Sequence, residues 1–332
     1  MHYKSLVCSL ALFWGLSGTP LFAQHKNVKA VSVIFDTDIG PDYDDVGAIT
    51  LLHALANRGE AHILATLASN KYEGIAAVID VFNTYFGRPD IPIGVPKGTS
   101  GVSLKDSQHW TDSLLAKYPH KIKHNNEVPD AVEVYRKVLA AQPDQSVTIV
   151  TVGFLTNLYH LLSSAPDKYS PLNGKALVAQ KVKKLVTMAG KFPSGKEFNM
   201  DKDPKASRIT FAQWPTKVLF SGFEIGAKIH TGLPLVENSK LNSPAKDVFR
   251  IALPKSPEDA RGRMSWDEIT TLVAIRGINP FFIEQSGTVK INDDGSNSWK
   301  HQGDQHAYLV AAWDRDELTR ELNELMSEQA KK

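Results

Sequence analysis

A single α/β domain, with a mostly parallel open sheet and helices on both faces, is predicted by three features of this sequence. Short apolar runs alternate along the chain with stretches of helical period, and the runs are almost continuously apolar, as strands buried on two faces must be. No repeat, low-complexity tract or linker divides the chain. With 332 residues, 42% of them hydrophobic, one large core can form.

The expected strands are 31–35, 63–68, 91–94, 147–152, 184–188 and 217–220. Between them the spacing predicts helices over 46–58 and 75–86, closed by Gly59 and Gly87, and over 131–141, 155–163 and 206–213. The last helix, 314–330, carries Leu318, Leu322 and Leu325 at helical spacing, a stripe that reads as core packing. Residues 96–129 form the longest stretch without a clear period and read as a candidate lid. Asn292-Asp293-Asp294-Gly295 looks acidic, but Asp-Gly suits a hairpin turn better than a second site.

Residues 1–23 have the pattern of a secretory signal, with Lys4 before an apolar stretch at 6–16 and small residues up to Ala23. The mature domain would then run over 28–332, secreted or periplasmic. The apolar stretch is shorter than the roughly 20 residues a membrane span needs. Cys8, the only cysteine, lies inside the signal, which excludes disulfides and thiol chemistry from the mature chain. Losing Lys4 lowers the formal charge from +2 to +1. With no basic stripe, nucleic acid and anionic membrane are poor partners.

The most informative segment runs from 31 to 49, where a buried strand leads into Asp36, Asp38, Asp42, Asp44 and Asp45. A strand, a glycine-containing turn and a helix start place these carboxylates beyond the carboxyl end of a sheet strand, where α/β folds bind ligands. A helix N-terminus offsets only about 0.3 to 1 kcal/mol per exposed acid, too little for five. A hard divalent cation with six to eight oxygen ligands would neutralise several at once. Simple strand-end and helix-cap roles account for one or two of the five. An EF-hand does not fit, because Gly40 and Pro41 fall at its fifth and sixth positions.

Asp36-Thr37-Asp38, Gly40 and Asp44-Asp45 after a first apolar strand resemble the amino-terminal signature of the nucleoside hydrolases, of the inosine-uridine preferring type. Ser69-Asn70, the run Val152-Gly153-Phe154-Leu155-Thr156-Asn157, Glu197-Phe198-Asn199 before Asp203-Pro204, and Trp266-Asp267 resemble later family motifs in the same order. The resemblance implies a calcium-dependent hydrolase that splits a ribonucleoside, or a related riboside, into base and ribose. By position, Asp38, Asp45, the Val152 carbonyl and Asp267 resemble the calcium ligands. Asp44, Asn70, Glu197 and Asn199 resemble the ribose contacts. Asp38 would take a proton from the attacking water, with Asp36 orienting Asp38 or the turn, and carboxylates would stabilise positive charge at C1′ and the ring oxygen.

The chain departs from the family pattern in three places. Pro41-Asp42-Tyr43 makes the signature two residues longer, Trp266 stands where purine-cleaving members carry a histidine acid, and no asparagine for the 5′-hydroxyl lies between Met188 and Glu197. Indole is no acid, so the leaving-group acid is unassigned, and Trp266 reads equally as a ring that stacks on the base or as a core tryptophan. His109, His301 and His306 are left without an assigned role. A phosphatase with an aspartate nucleophile matches only Asp36-Thr37-Asp38. The alternative is a catalytically impaired calcium-dependent riboside-binding protein on the same scaffold. The sequence leaves homo-oligomer formation open.

Overall fold

The structure, a computed structural model, describes residues 30–98, 101–312 and 314–330. The expected signal at 1–23 lies outside them. The strands are β1 Val31–Thr37, β2 Ala61–Ala68, β3 Ile93–Gly94, β4 Val147–Thr151, β5 Val182–Met188, β6 Ser194–Gly195, β7 Lys217–Ser221, β8 His230–Thr231, β9 Arg263–Met264, β10 Phe282–Ile291, β11 Asn297–Lys300 and β12 His306–Ala311. Ten of them form one sheet in the order β3-β2-β1-β4-β5-β7-β12-β10-β11-β6, and β8 pairs with β9 apart from it.

Every neighbour from β3 to β12 is parallel, as the apolar runs predict. The sheet packs on both faces because side chains alternate along each strand. On β1, Val33 and Phe35 join Ile49, Leu52, Phe82 and Val273 in one core. Ile34 points the other way, to Tyr135, Ile149, Leu158 and Phe220. Among the described residues no helix is long and apolar enough to cross a membrane.

All six expected strands are present, and the sheet continues further than predicted. Strands β10, β11 and β6 extend it in antiparallel fashion. Four of the ten β10 residues are exposed and only Phe282, Gly287, Val289 and Ile291 are buried, in a mixed run, so it lacks the continuous apolar signal of the parallel strands. The turn at 292–295 is the expected hairpin: Asn292 N–H donates to the Ser296 carbonyl at 2.8 Å, and Gly295 takes a positive φ of 81°.

The expected lid is instead fastened to the body. It contains the helix Trp110–Lys117 and a 3-10 turn, Asn125–Glu127. Trp110 and Leu114 are buried in the core. The Asp80 carboxylate accepts the Lys121 and Ile122 N–H groups at 2.6 and 2.8 Å, and Asn125 donates to the Tyr72 carbonyl at 2.8 Å. A large buried aromatic makes such a segment part of the cooperative unit. Trp110→Ala is therefore expected to lower unfolding free energy by about 3 to 5 kcal/mol. A denaturant melt checks this, since a mobile lid would leave the transition unmoved.

Candidate functional site

Strands β1 and β4 lie side by side, but β1 continues to β2 on its other flank, so the chain's winding reverses between them. Their carboxyl ends border the crevice where open α/β sheets take ligands. Three loops are stitched together there. The Val152 N–H donates to the Asp36 carbonyl at 2.8 Å, Ser69 N–H to the Thr37 carbonyl at 2.8 Å, and Phe154 N–H to Ser69 Oγ at 3.0 Å. Gly153 permits this closeness, because a Cβ there would stand 2.4 Å from both the Asp38 nitrogen and Ser69 Oγ. Gly153→Ala must push Asp38 aside, and misplacement of about 1 Å can cost on the order of 10²-fold in rate. Steady-state kinetics with a matched melting curve would separate this loss from unfolding.

A cavity of about 390 Å³ opens at this crevice. Asp38, Asp44, Val152, Glu197, Asn199 and Asp267 line it together with Phe198, Phe223, Arg263, Met264 and Trp266. Asp45 sits just beneath at the start of the helix Asp44–Asn57. Its Oδ1 accepts a hydrogen bond from Thr37 Oγ1, while Oδ2 is buried without a partner among the described residues. Burial raises the pKa values of Asp38, Asp45 and Asp267 well above the usual carboxylate range, and the neighbouring carboxylates raise them further.

These oxygens fit a hard cation. Asp38, Asp45, Asp267 and the Val152 carbonyl offer only oxygen donors, and the orphaned Asp45 Oδ2 is a buried acceptor with nothing to balance it. One oxygen each of Asp42, Asp44 and Asp45 also lie within 4.8 Å of one another. Asp38, Asp45 and Asp267 form no such grouping among the described residues, whereas Asp42 and Asp44 already have a counter-charge. Arg263 donates through Nε and Nη2 to Asp44 Oδ1, at 3.0 and 2.8 Å, and its Nη2 lies 2.9 Å from Asp42 Oδ2.

The remaining expected residues divide into those at the cavity and those behind it. Glu197 caps the helix Phe198–Lys202, accepting Asn199 N–H at 2.7 Å, Gly190 N–H at 3.1 Å and Met200 N–H at 3.2 Å. Burial nevertheless pushes its pKa up to about 7. Asn199 donates from Nδ2 to the Val152 and Met188 carbonyls at 3.0 and 3.1 Å. Trp266 donates its only N–H to the Phe223 carbonyl at 2.7 Å, so it offers the cavity a ring face and no proton. The two rings lie 5.3 Å apart.

Asp36 and Asn70 do not line the cavity. Period-two alternation turns Asp36 to the face opposite Phe35, where Tyr135 OH donates to it at 2.8 Å and Asn157 Nδ2 at 3.0 Å. Burial still raises its pKa to about 7. Asn70 donates to the Asp38 and Leu104 carbonyls at 3.2 and 2.9 Å and accepts from Tyr72 and Leu104 N–H. Both residues thus brace the loop that carries Asp38. Asn157 and Asp203, quoted only as parts of motifs, also brace: Asp203 accepts from Thr156 Oγ1 and caps the helix Pro204–Gln213.

None of the three histidines lines the cavity. His306 is buried on β12 with its pKa lowered to about 4 by burial, and His109 and His301 are exposed. Sequence reasoning missed Arg263, Phe198 and Phe223. Arg263 had one signal, a cation three residues before Trp266-Asp267, in the run Arg261-Gly262-Arg263, in a chain whose signature turn carries an extra aspartate.

The crevice at the reversal point of the parallel sheet thus gathers carboxylates and aromatic rings around one cavity of an α/β domain. The sequence model of the inosine-uridine preferring nucleoside hydrolases matches residues 33–321, and the chain belongs to that family. It is 28% identical over 211 residues to the pyrimidine-specific ribonucleoside hydrolase RihA of Citrobacter koseri, and 30% identical over 216 residues to that of Salmonella enteritidis. Each match covers 60% of this chain and 63% of the relative's length. A plant nucleoside hydrolase shares the fold with a TM-score of 0.70 at 20% identity, over 90% of this chain and 99% of its own. An inosine-guanosine nucleoside hydrolase has a TM-score of 0.69 at 19% identity, over 92% and 100%.

Proposed function

We propose that this protein hydrolyses the N-glycosidic bond of a ribonucleoside or a closely related riboside, with a calcium ion held by Asp38, Asp45, Asp267 and the Val152 carbonyl. The observation that carries the reading is one cavity lined by Asp38, Asp44, Glu197, Asn199 and Asp267 with Phe198, Phe223 and Trp266 beside them. When bound, the ion supplies positive charge that favours ionisation of water and orients oxygen ligands.

The chain's own residues do the rest. Asp38 is placed to take the proton of the attacking water. Glu197 and Asp44 retain carboxylate lone pairs for sugar hydroxyls, and Asn199 keeps Oδ1, because its amide nitrogen is engaged with backbone carbonyls. The buried carboxylates also place negative charge around the C1′ region, where the transition state gathers positive charge. Trp266 and Phe223 offer ring faces to the base. Buried hydroxyl acceptors left unpaired by a deoxy sugar should make ribose the preferred sugar.

The test is release of reducing sugar from purine and pyrimidine ribosides, with calcium and with chelator. Calcium-dependent release supports the reading, and absence of release from every riboside sinks it. In the native host, residues 1–23 are proposed to direct export, and the intact mass of the exported protein should lack them.

A further inference from the structure

Arg263 has a setting that the proposed reaction does not use directly. It is buried on β9, directly after Gly262, whose φ of 104° brings the chain so close to β8 that a Cβ there would meet the Thr231 carbonyl oxygen at 2.6 Å. Its guanidinium lies 5.1 Å from the Tyr43 ring centroid and 5.3 Å from that of Trp266. Besides Asp42 and Asp44 it approaches Asp259 Oδ2 at 3.5 Å, and Tyr43 OH donates to that same oxygen at 2.6 Å. Asp42 and Tyr43 belong to the lengthened signature turn, so the longer turn and the 259–263 segment interlock through this one cation.

Two consequences follow from charge and geometry. Three carboxylates surround the guanidinium, which leaves little field for an anionic substrate group. Both contacts to Asp44 fall on Oδ1, so the arginine does not engage Oδ2, and Asp44 and Arg263 both line the cavity. A carboxylate gripped by two N–H groups on one oxygen is held in one orientation.

We propose that Arg263 is a positioning residue that sets sugar specificity: it fixes Asp44 so that the free oxygen accepts one particular secondary hydroxyl of the sugar, while Asp38, Asp45 and Asp267 are left to the cation. This rests on the riboside reading above. The acids are divided between two cations, one built into the chain and one bound. Lysine, a point charge with no fork, can replace the charge of Arg263 but not the double grip on one oxygen.

The experiment compares wild type, Arg263→Gln, Arg263→Lys and Asp42→Asn on a riboside and its 2′-deoxy and 3′-deoxy counterparts, with calcium affinity measured by calorimetry. Wild type should discriminate against one deoxy sugar. Arg263→Gln should lose about 10- to 100-fold in kcat/KM on the riboside, the range set by one charged hydrogen-bonded contact, and much less on that deoxy sugar, so that the ratio collapses. Arg263→Lys should restore part of the ratio, Asp42→Asn should erode it less, and calcium affinity should stay within about threefold.

Equal losses on all three sugars, or calcium affinity falling in step with activity, would overturn the proposal. Should Arg263→Gln fail to fold, Asp42→Asn and Arg263→Lys carry the same comparison, and an unchanged ratio in both overturns it. A wild-type protein that cleaves no riboside overturns the functional reading and takes this inference with it. Cleavage with an unchanged ratio removes this inference alone.

Discussion

Asp38→Asn is expected to lower kcat by about 10³-fold on any riboside the wild-type protein cleaves, the middle of the range for a positioned general base. Asparagine keeps the shape and the backbone contacts of this buried position but cannot accept the proton of water. The loss should fall on kcat and kcat/KM together, since proton removal belongs to the transition state and not to the bound substrate. Single-turnover kinetics at saturating calcium would check it, because weakened ion binding would show instead as activity recovered at higher calcium. A full-rate Asp38→Asn variant would remove Asp38 from the mechanism.

Removal of the cation is expected to have a large effect on stability. At a calcium concentration 100 to 1,000 times its dissociation constant, binding to the folded state alone contributes about 2.7 to 4.1 kcal/mol, and a chelator should abolish it. The pH dependence has a definite sign. Burial raises the pKa values of Asp36, Asp44 and Glu197 to about 7, against a usual value near 4. An acid raised in this way favours the folded state fully below its unfolded pKa, and that contribution disappears as pH climbs through 7. The chelated protein should therefore melt at lower temperature at pH 8 than at pH 5. Calcium should narrow the difference, since ion uptake favours the ionised carboxylates. Thermal melts at both pH values, with and without calcium, test both statements, and a chelated protein more stable at pH 8 would contradict the sign.

The parallel half of the sheet was legible because strands such as Val31–Thr37 and Val147–Thr151 are buried on both faces and read as unbroken apolar runs. The antiparallel half was not, because β10 is partly exposed and β6 has only two residues, Ser194 and Gly195. In the site, the aspartates of the signature turn were legible as a charge excess that something must balance. What balances Asp42 and Asp44 was hidden, since Arg263 lies 219 residues beyond Asp44 and shows no periodic or local signal. Trp110 was hidden for a related reason: a short helix in an irregular stretch gives no pattern until the wall it packs against is known. Asp36 and Asn70 were singled out by family order, and the strand's alternation and the backbone contacts show them bracing the loop from behind.

The short strand β6 ends two residues before Glu197 and is paired with β11, while Asn297 exchanges hydrogen bonds of 2.9 Å with the Lys191 backbone on the way. The outermost hairpin of the sheet is thus wired to Glu197, the carboxylate proposed to face the sugar. Substitutions in that peripheral ribbon, well away from any acid, offer a lineage a gentle dial on ligand fit, one that leaves the costly electrostatic centre untouched.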